Sequence, residues 1–238
     1  MAPWLITGSN RGIGLELCRQ LHQRGEAVIA VCRQSSPELE ALGVRVEEEI
    51  ELASETAIAS LAERLSAVPL AGLILNAGIL EADGLEDFSS DSLQRQFTIN
   101  AVAPLLLCRA LLPNLERGAR VALITSRMGS LDDNTSGAYY GYRMSKAALN
   151  MAGRSLAVDL RAREIAVAVL HPGMVATRMV GFSGIPPEQA ARGLPPRYDG
   201  RCRDRSPAEG VDLPGAWRFR VPPGRDLVIE DLVRGTVR

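Results

Sequence analysis

The chain has 238 residues, 46% hydrophobic and 23% charged, with a mean hydropathy of +0.03 and a net charge of −1. That length suits one large α/β domain, and the balanced charge offers no basic field to draw in nucleic acid or acidic lipid. The start, "MAPWLITGSNRGIG", has no basic-then-apolar leader, and no stretch approaches the ~18 apolar residues of a membrane span, so a cytoplasmic protein acting on a small molecule is expected, with no nucleic-acid or membrane partner.

Six short apolar runs alternate with stretches of helical period. Strands are predicted at 3–8, 27–33, 44–52, 70–78, 120–126 and 165–173, and helices near 12–24, 54–66, 90–112 and 142–161. Strand and helix in alternation imply an α/β fold, a doubly wound parallel sheet in three layers, as a single domain. Runs such as "LAGLILNA" fit, because parallel strands are buried on both faces. Ser54 is placed to cap one helix and Ser90 or Asp91 the next, while Gly25 stands where the first should stop. The domain is expected to cover residues 1–193. From 194 to 238 the chain is crowded with Arg, Pro and Gly, and only 227–230 reads as a weak strand. It is either a diverged tail or the product of a shifted reading frame, since GC-rich codons read out of frame yield those residues.

Cys18, Cys32, Cys108 and Cys202 are scattered, with no CxxC and no Cys/His cluster, so buried thiols are expected, with no disulfide and no metal site.

The first strand runs directly into "TGSNRGIG", 7–14, and a helix follows. Gly8, Gly12 and Gly14 let the backbone turn tightly and approach a pyrophosphate at the helix N-terminus, where free N–H groups and the dipole favour anions. The alternative is a tight turn without a ligand. Near the end of the second strand, where NAD binders carry an acid for the ribose 2′-OH, stands Arg33, and Arg11 lies in the glycine turn. Two guanidinium groups could meet a 2′-phosphate, which favours NADP(H) and leaves NAD(H) open. The alternative is two ordinary solvated arginines.

Of 27 lysines and arginines, one is a lysine, Lys146 in "YYGYRMSKAALNMAG". Tyr142 stands four residues before it, on the same helical face. A cation beside a phenol is expected to lower its pKa from about 10 towards that of a working acid or base. A compact ammonium can also bond a ribose hydroxyl, which the broad fork of arginine would not match. Tyr139 and Tyr140 lack a lysine at i+4. Ligands in parallel-sheet folds bind beyond the carboxyl ends of the strands, which places "LNAG" (75–78), "ITSRMGS" (124–130) and "HPGMVATRM" (171–179) at the site. Ser126 could donate to a substrate carbonyl, and Asn100 could hold a water or a backbone carbonyl in a proton path.

Taken together, "TGSNRGIG", "LNAG", Asn100, Ser126, "YRMSK" and "HPGMVAT" resemble the short-chain dehydrogenase/reductase family, and its C-factor and Sniffer-type carbonyl reductase subgroup in particular. The resemblance covers residues 1 to about 193. It implies a Rossmann-type fold with Gly8, Gly12 and Gly14 at the pyrophosphate, with Asn10, Arg11, Ile13 and Arg33 also binding the cofactor and Glu51 where an acid typically meets adenine. It further implies Asn76, Ala77 and Gly78 along the cofactor, and Pro172, Gly173, Val175 and Thr177 at the nicotinamide. Asn100, Ser126, Tyr142 and Lys146 would form the catalytic tetrad. Three more residues separate Ser126 from Tyr142 than in many relatives, so Ser130 is a second candidate for the serine. Arg178 stands where an aspartate is common. Relatives pair through the helix of Tyr142 and the one before it, which implies a homodimer or homotetramer.

The function implied is carbonyl–alcohol interconversion by hydride transfer, with a ketone or aldehyde as substrate. A dinucleotide-binding signalling protein of C-factor type, with incidental turnover, is the second reading. A sugar-nucleotide epimerase would need a substrate domain for which the chain has little room.

Overall fold

A computed structural model describes residues 1–192, so the C-terminal readings at 193–238, the weak strand and the shifted frame among them, lie outside the described residues. The chain runs β1 (Trp4–Thr7), α1 (Gly12–Gln23), β2 (Val28–Val31), a single turn α2 (Pro37–Glu40), β3 (Arg45–Glu47), α3 (Glu55–Arg64) and β4 (Leu70–Leu75). Then come α4 (Ser90–Phe97), α5 (Ala103–Ala110), β5 (Leu115–Ile124), α6 (Tyr140–Asp159), β6 (Ala166–Leu170) and α7 (Pro187–Ala191).

The six strands form one parallel sheet in the order β3-β2-β1-β4-β5-β6. Alternate residues of its central strands enter two separate cores. Leu5, Ile29, Leu73, Leu75 and Leu123 pack with Ile58 and Leu61 of α3, Leu107 of α5 and Leu149 of α6. On the other face Trp4, Ile6, Ala30 and Ile74 pack with Leu17, Cys18 and Leu21 of α1 and Ala191 of α7. Helices on both faces of a parallel sheet are the doubly wound arrangement expected from the alternating pattern.

Among the boundaries that differ from expectation, three have identifiable reasons. The third strand stops at Glu47, because Glu49 adopts a left-handed conformation (φ 62°) and turns the chain back so that Ile50 donates to the Cys32 carbonyl. The helix expected over 90–112 is α4 and α5 joined by a π-helical turn, Thr98–Val102. Its N-cap is Ser89, which accepts from Ser92 N at 3.2 Å, rather than Ser90 or Asp91. Ser54 caps α3 as expected, accepting from Ala57 N at 3.2 Å, and Gly25 turns the chain after α1 with φ 81°.

The glycine turn is shaped by contact as much as by dihedral angle. Gly8 has φ 67°. A Cβ on Gly14 would stand 2.1 Å from the Gly8 carbonyl oxygen and 2.7 Å from Asn76 Nδ2, so α1 can lie this close to the turn only without a side chain there. Gly14→Ala is expected to lower the free energy of unfolding by about 3 kcal/mol, the upper range for overpacking. Urea titration checks this, and a change below about 1 kcal/mol would mean the turn relaxes around the methyl group.

Candidate active site

A cleft of about 950 Å³ runs across the carboxyl ends of the strands. Gly8, Asn10, Arg11, Gly12 and Ile13 line one side; Asn76, Ala77 and Gly78 follow β4; Ser126, Tyr142 and Lys146 form the far wall beside Pro172, Gly173, Val175 and Thr177. Two of the expected site residues do not line it. Gly14 is buried behind the turn, so its part is to let α1 approach, and Asn100 is buried with 0% exposure.

The first turn of α1 has no side-chain cap, since Arg11 at its N-cap position makes no capping bond. Its N–H groups and dipole therefore face the cleft uncompensated by protein, as an anion site requires. Asn76 spends its amide on the turn itself, donating to the carbonyls of Thr7 (3.0 Å) and Gly8 (3.3 Å). The Thr7 hydroxyl accepts from the N–H groups of Asn76 and Ala77, both at 3.0 Å, and so fastens the end of β1 to the end of β4. Thr7 is not among the expected site residues, although a hydroxyl directly before a glycine turn is a signal for this tie.

Lys146 is buried, and its Nζ donates to the Ile124 carbonyl oxygen at 2.9 Å. It lies 5.6 Å from the centre of the Tyr142 ring. Burial pushes the lysine pKa down to about 8. The same burial raises the Tyr142 pKa, and the hydrogen bond from Ser126 pulls it only partly back. The sequence-based expectation of a lowered phenol pKa is therefore corrected: in this pocket desolvation of the phenolate is the largest cause, and it raises the pKa.

Ser126 stands just beyond the end of β5, lines the cleft with Tyr142 and lowers the phenol pKa, whereas Ser130 does not line it and instead accepts from Asp133 N at 3.3 Å. The geometry thus favours Ser126. Asn100 sits in the π-helical turn, a distortion frequent at functional sites. Its amide brackets the Ile79 peptide, donating to Ile79 O and accepting from Ile79 N at 2.8 Å each, and donates to Ser145 Oγ at 3.0 Å. Ser145 in turn donates to the Tyr142 carbonyl at 2.8 Å. The side chain therefore holds a backbone carbonyl, that of Ile79, and braces the loop after β4 against α6.

At the end of the cleft beside β2, Arg33 faces Glu51 at 3.4 Å, with side chains 68% and 47% exposed. So exposed a pair is weak and leaves the guanidinium open to a stronger anion. Glu51 lies in the loop beyond β3, four residues after its end, and accepts from Ala53 N at 3.2 Å. Asn10 donates to Gln34 O at 2.9 Å. His171 lines the reactive end and its Nδ1 accepts from Arg127 N at 3.3 Å. Burial, with Arg127 adding to it, pushes its pKa down to about 4, so it is neutral at pH 7. The buried thiols Cys18, Cys32 and Cys108 are held at about 12, 11 and 11 by burial, which leaves them unreactive. Among the described residues no group of acids, histidines and cysteines could hold a metal, and no helix is long and apolar enough to cross a membrane.

The short chain dehydrogenase family matches residues 4–184. The 1-hydroxy-2-glutathionyl-2-methyl-3-butene dehydrogenase of Rhodococcus sp. strain AD45 is 43% identical over 201 residues, 82% of this chain and 89% of that one. The carbonyl reductase Sniffer of D. melanogaster superposes with a TM-score of 0.74 at 31% identity, covering 80% of this chain and 88% of its own. An NADPH-bound carbonyl reductase from chicken fatty liver gives 0.72 at 29% identity, covering 79% and 84%.

Because Lys146 is the sole lysine, selective 13C-lysine labelling gives a single ε-carbon resonance. It is expected to titrate near pH 8 in the folded protein and near 10.5 in urea. Between those values the unfolded chain binds the extra proton, so this group makes stability rise with pH across that window. A folded-state midpoint near 10.5 would mean the amine is solvated.

Proposed function

The chain belongs to the short-chain dehydrogenase family and is an oxidoreductase, and on that premise we propose that it reduces a ketone or aldehyde with NADP(H). The observation that carries this reading is the placement of Ser126, Tyr142 and Lys146 on one wall of a cleft that begins at an uncapped helix N-terminus. The residues present fit a dinucleotide: the glycine turn leaves backbone N–H groups for a pyrophosphate, and Arg11 and Arg33 border the end where a 2′-phosphate would lie. NADP(H) is preferred over NAD(H) on the strength of those two cations, and the NADPH carried by the chicken relative agrees.

The nicotinamide supplies the hydride when bound. Ser126 donates to the carbonyl oxygen and orients it, while Tyr142 gives that oxygen its proton. A phenol whose pKa is raised by burial is protonated at neutral pH, which suits donation and hence the reductive direction. Lys146, charged in most molecules at pH 7, would hold the ribose and offset the phenolate left behind. Asn100 keeps the loop after β4 and α6 in register. Turnover by this set is the reading preferred over a purely signalling role.

We also propose that two copies pair through α6, where Met144, Met151 and Val158 recur at seven-residue intervals and remain exposed. Size-exclusion chromatography at micromolar concentration should show a dimer or tetramer, and a monomer would end that proposal.

The function is tested with NADPH, NADH and a panel of carbonyl compounds, following the absorbance of the reduced nicotinamide. Tyr142→Phe should lower kcat by at least about 10²-fold, the range for a lost general acid, with NADPH affinity retained. Arg11→Ala combined with Arg33→Ala should narrow the preference for NADPH. A parent enzyme that favours NADH would remove the role given to the arginines, and a Phe variant with parental turnover would remove that of Tyr142.

A further inference from the structure

We propose that Asp83 is a positioning residue, which aims Tyr142 by holding the strained backbone that leads into α6. This inference rests on the role proposed for Tyr142.

The chain reaches α6 through three successive left-handed residues, Gly137, Ala138 and Tyr139, with φ of 64°, 53° and 55°. Two of them carry a Cβ, so this path is costly and persists only where its surroundings enforce it. Tyr139, the N-cap residue, makes no side-chain cap of its own. The cap comes from 57 residues away: the Asp83 carboxylate accepts from Tyr140 N and, at 3.2 Å, from Gly141 N, while the Asp83 backbone carbonyl accepts from Tyr139 N at 2.8 Å. Behind it the fully buried Gln96 donates to the carboxylate at 3.5 Å and accepts from Glu81 N at 3.0 Å, which fixes Asp83 from the α4 side. On the opposite side Arg143 donates to the carbonyls of Ala138 (3.1 Å) and Gly137 (3.3 Å).

Tyr142 follows Gly141 directly. Asp83 does not line the cleft and cannot touch substrate; its effect is confined to the first turn of α6. Lys146 is one turn further along and is fixed separately by the Ile124 carbonyl. Loosening the cap should therefore move the phenol relative to Ser126 while the cofactor side keeps its geometry. Displacement of a reacting group by about 1 Å can cost as much as ~10²-fold in rate.

The test measures kcat for the best carbonyl compound of the panel and Kd for NADPH by fluorescence. Asp83→Ala should lose about tenfold or more in kcat with Kd within about twofold of the parent. Asp83→Asn, whose amide oxygen still accepts a peptide N–H, should recover most of it. Parental kcat in Asp83→Ala would overturn the proposal, as would a joint loss of kcat and NADPH affinity that Asn fails to restore. If the alanine variant does not fold, Asp83→Glu decides: displacement of the carboxylate should lower kcat with Kd kept, and a parental kcat counts against the idea. Tyr142→Phe in the same assay separates the two readings. Parental turnover there removes the premise, whereas a dead Phe variant beside a parental Asp83→Ala removes only the role of Asp83.

Discussion

The site depends on one topological constraint, the reversal of strand order between β1 and β4. The helix after β1 lies on one face of the sheet, and the helices after β4 and β5 lie on the other. Their connections must part at the carboxyl ends of the central strands, and the crevice so formed is where parallel sheets bind ligands. Thr7 and Asn76 then tie the two parted ends together at the floor, so the crevice has a defined width instead of fraying. The glycine turn and the first turns of α6, which carry the proposed cofactor and catalytic residues, therefore line the same crevice.

Within that frame the buried polar groups act as braces. Asn100, Ser145, Gln96 and Asp83 are all buried, and their hydrogen bonds go to backbone, to one another and, from Gln96, to the Ser92 hydroxyl. Together they join the loop after β4 to the start of α6. A satisfied polar network in a low-dielectric interior is rigid, because any displacement leaves donors and acceptors unpaired at high cost. Tyr142, the proposed proton donor, stands at the edge of this network and inherits its rigidity.

Period and chemistry made much of this legible. The apolar runs located all six strands, the glycine turn located the cleft, and the isolated lysine among arginines marked the wall that carries Tyr142. Long-range pairings were not legible. Asp83 caps a helix that begins 57 residues later, and nothing local to either segment reveals that contact. The early stop of β3 follows from a left-handed glutamate, a residue type that gives little sign of that conformation, and it leaves Glu51 in a loop instead of at a strand end. The direction of the phenol pKa is hidden for a related reason: i,i+4 spacing reveals the neighbouring ammonium, but the depth of burial that raises the phenol is a property of the folded chain.

The solitary amine of Lys146 has a chemical corollary. Elsewhere the basic surface consists of guanidinium groups, which resist acylation and Schiff-base formation at neutral pH, so the only other primary amine is the chain terminus. An amine with a pKa near 8 has an appreciable unprotonated fraction under mildly alkaline conditions, far more than an ordinary solvated lysine. Activated esters or aldehydes narrow enough to enter the crevice would thus find a single lysine amine, and a covalent adduct formed there would stand on the wall proposed to meet the dinucleotide and its reaction partner.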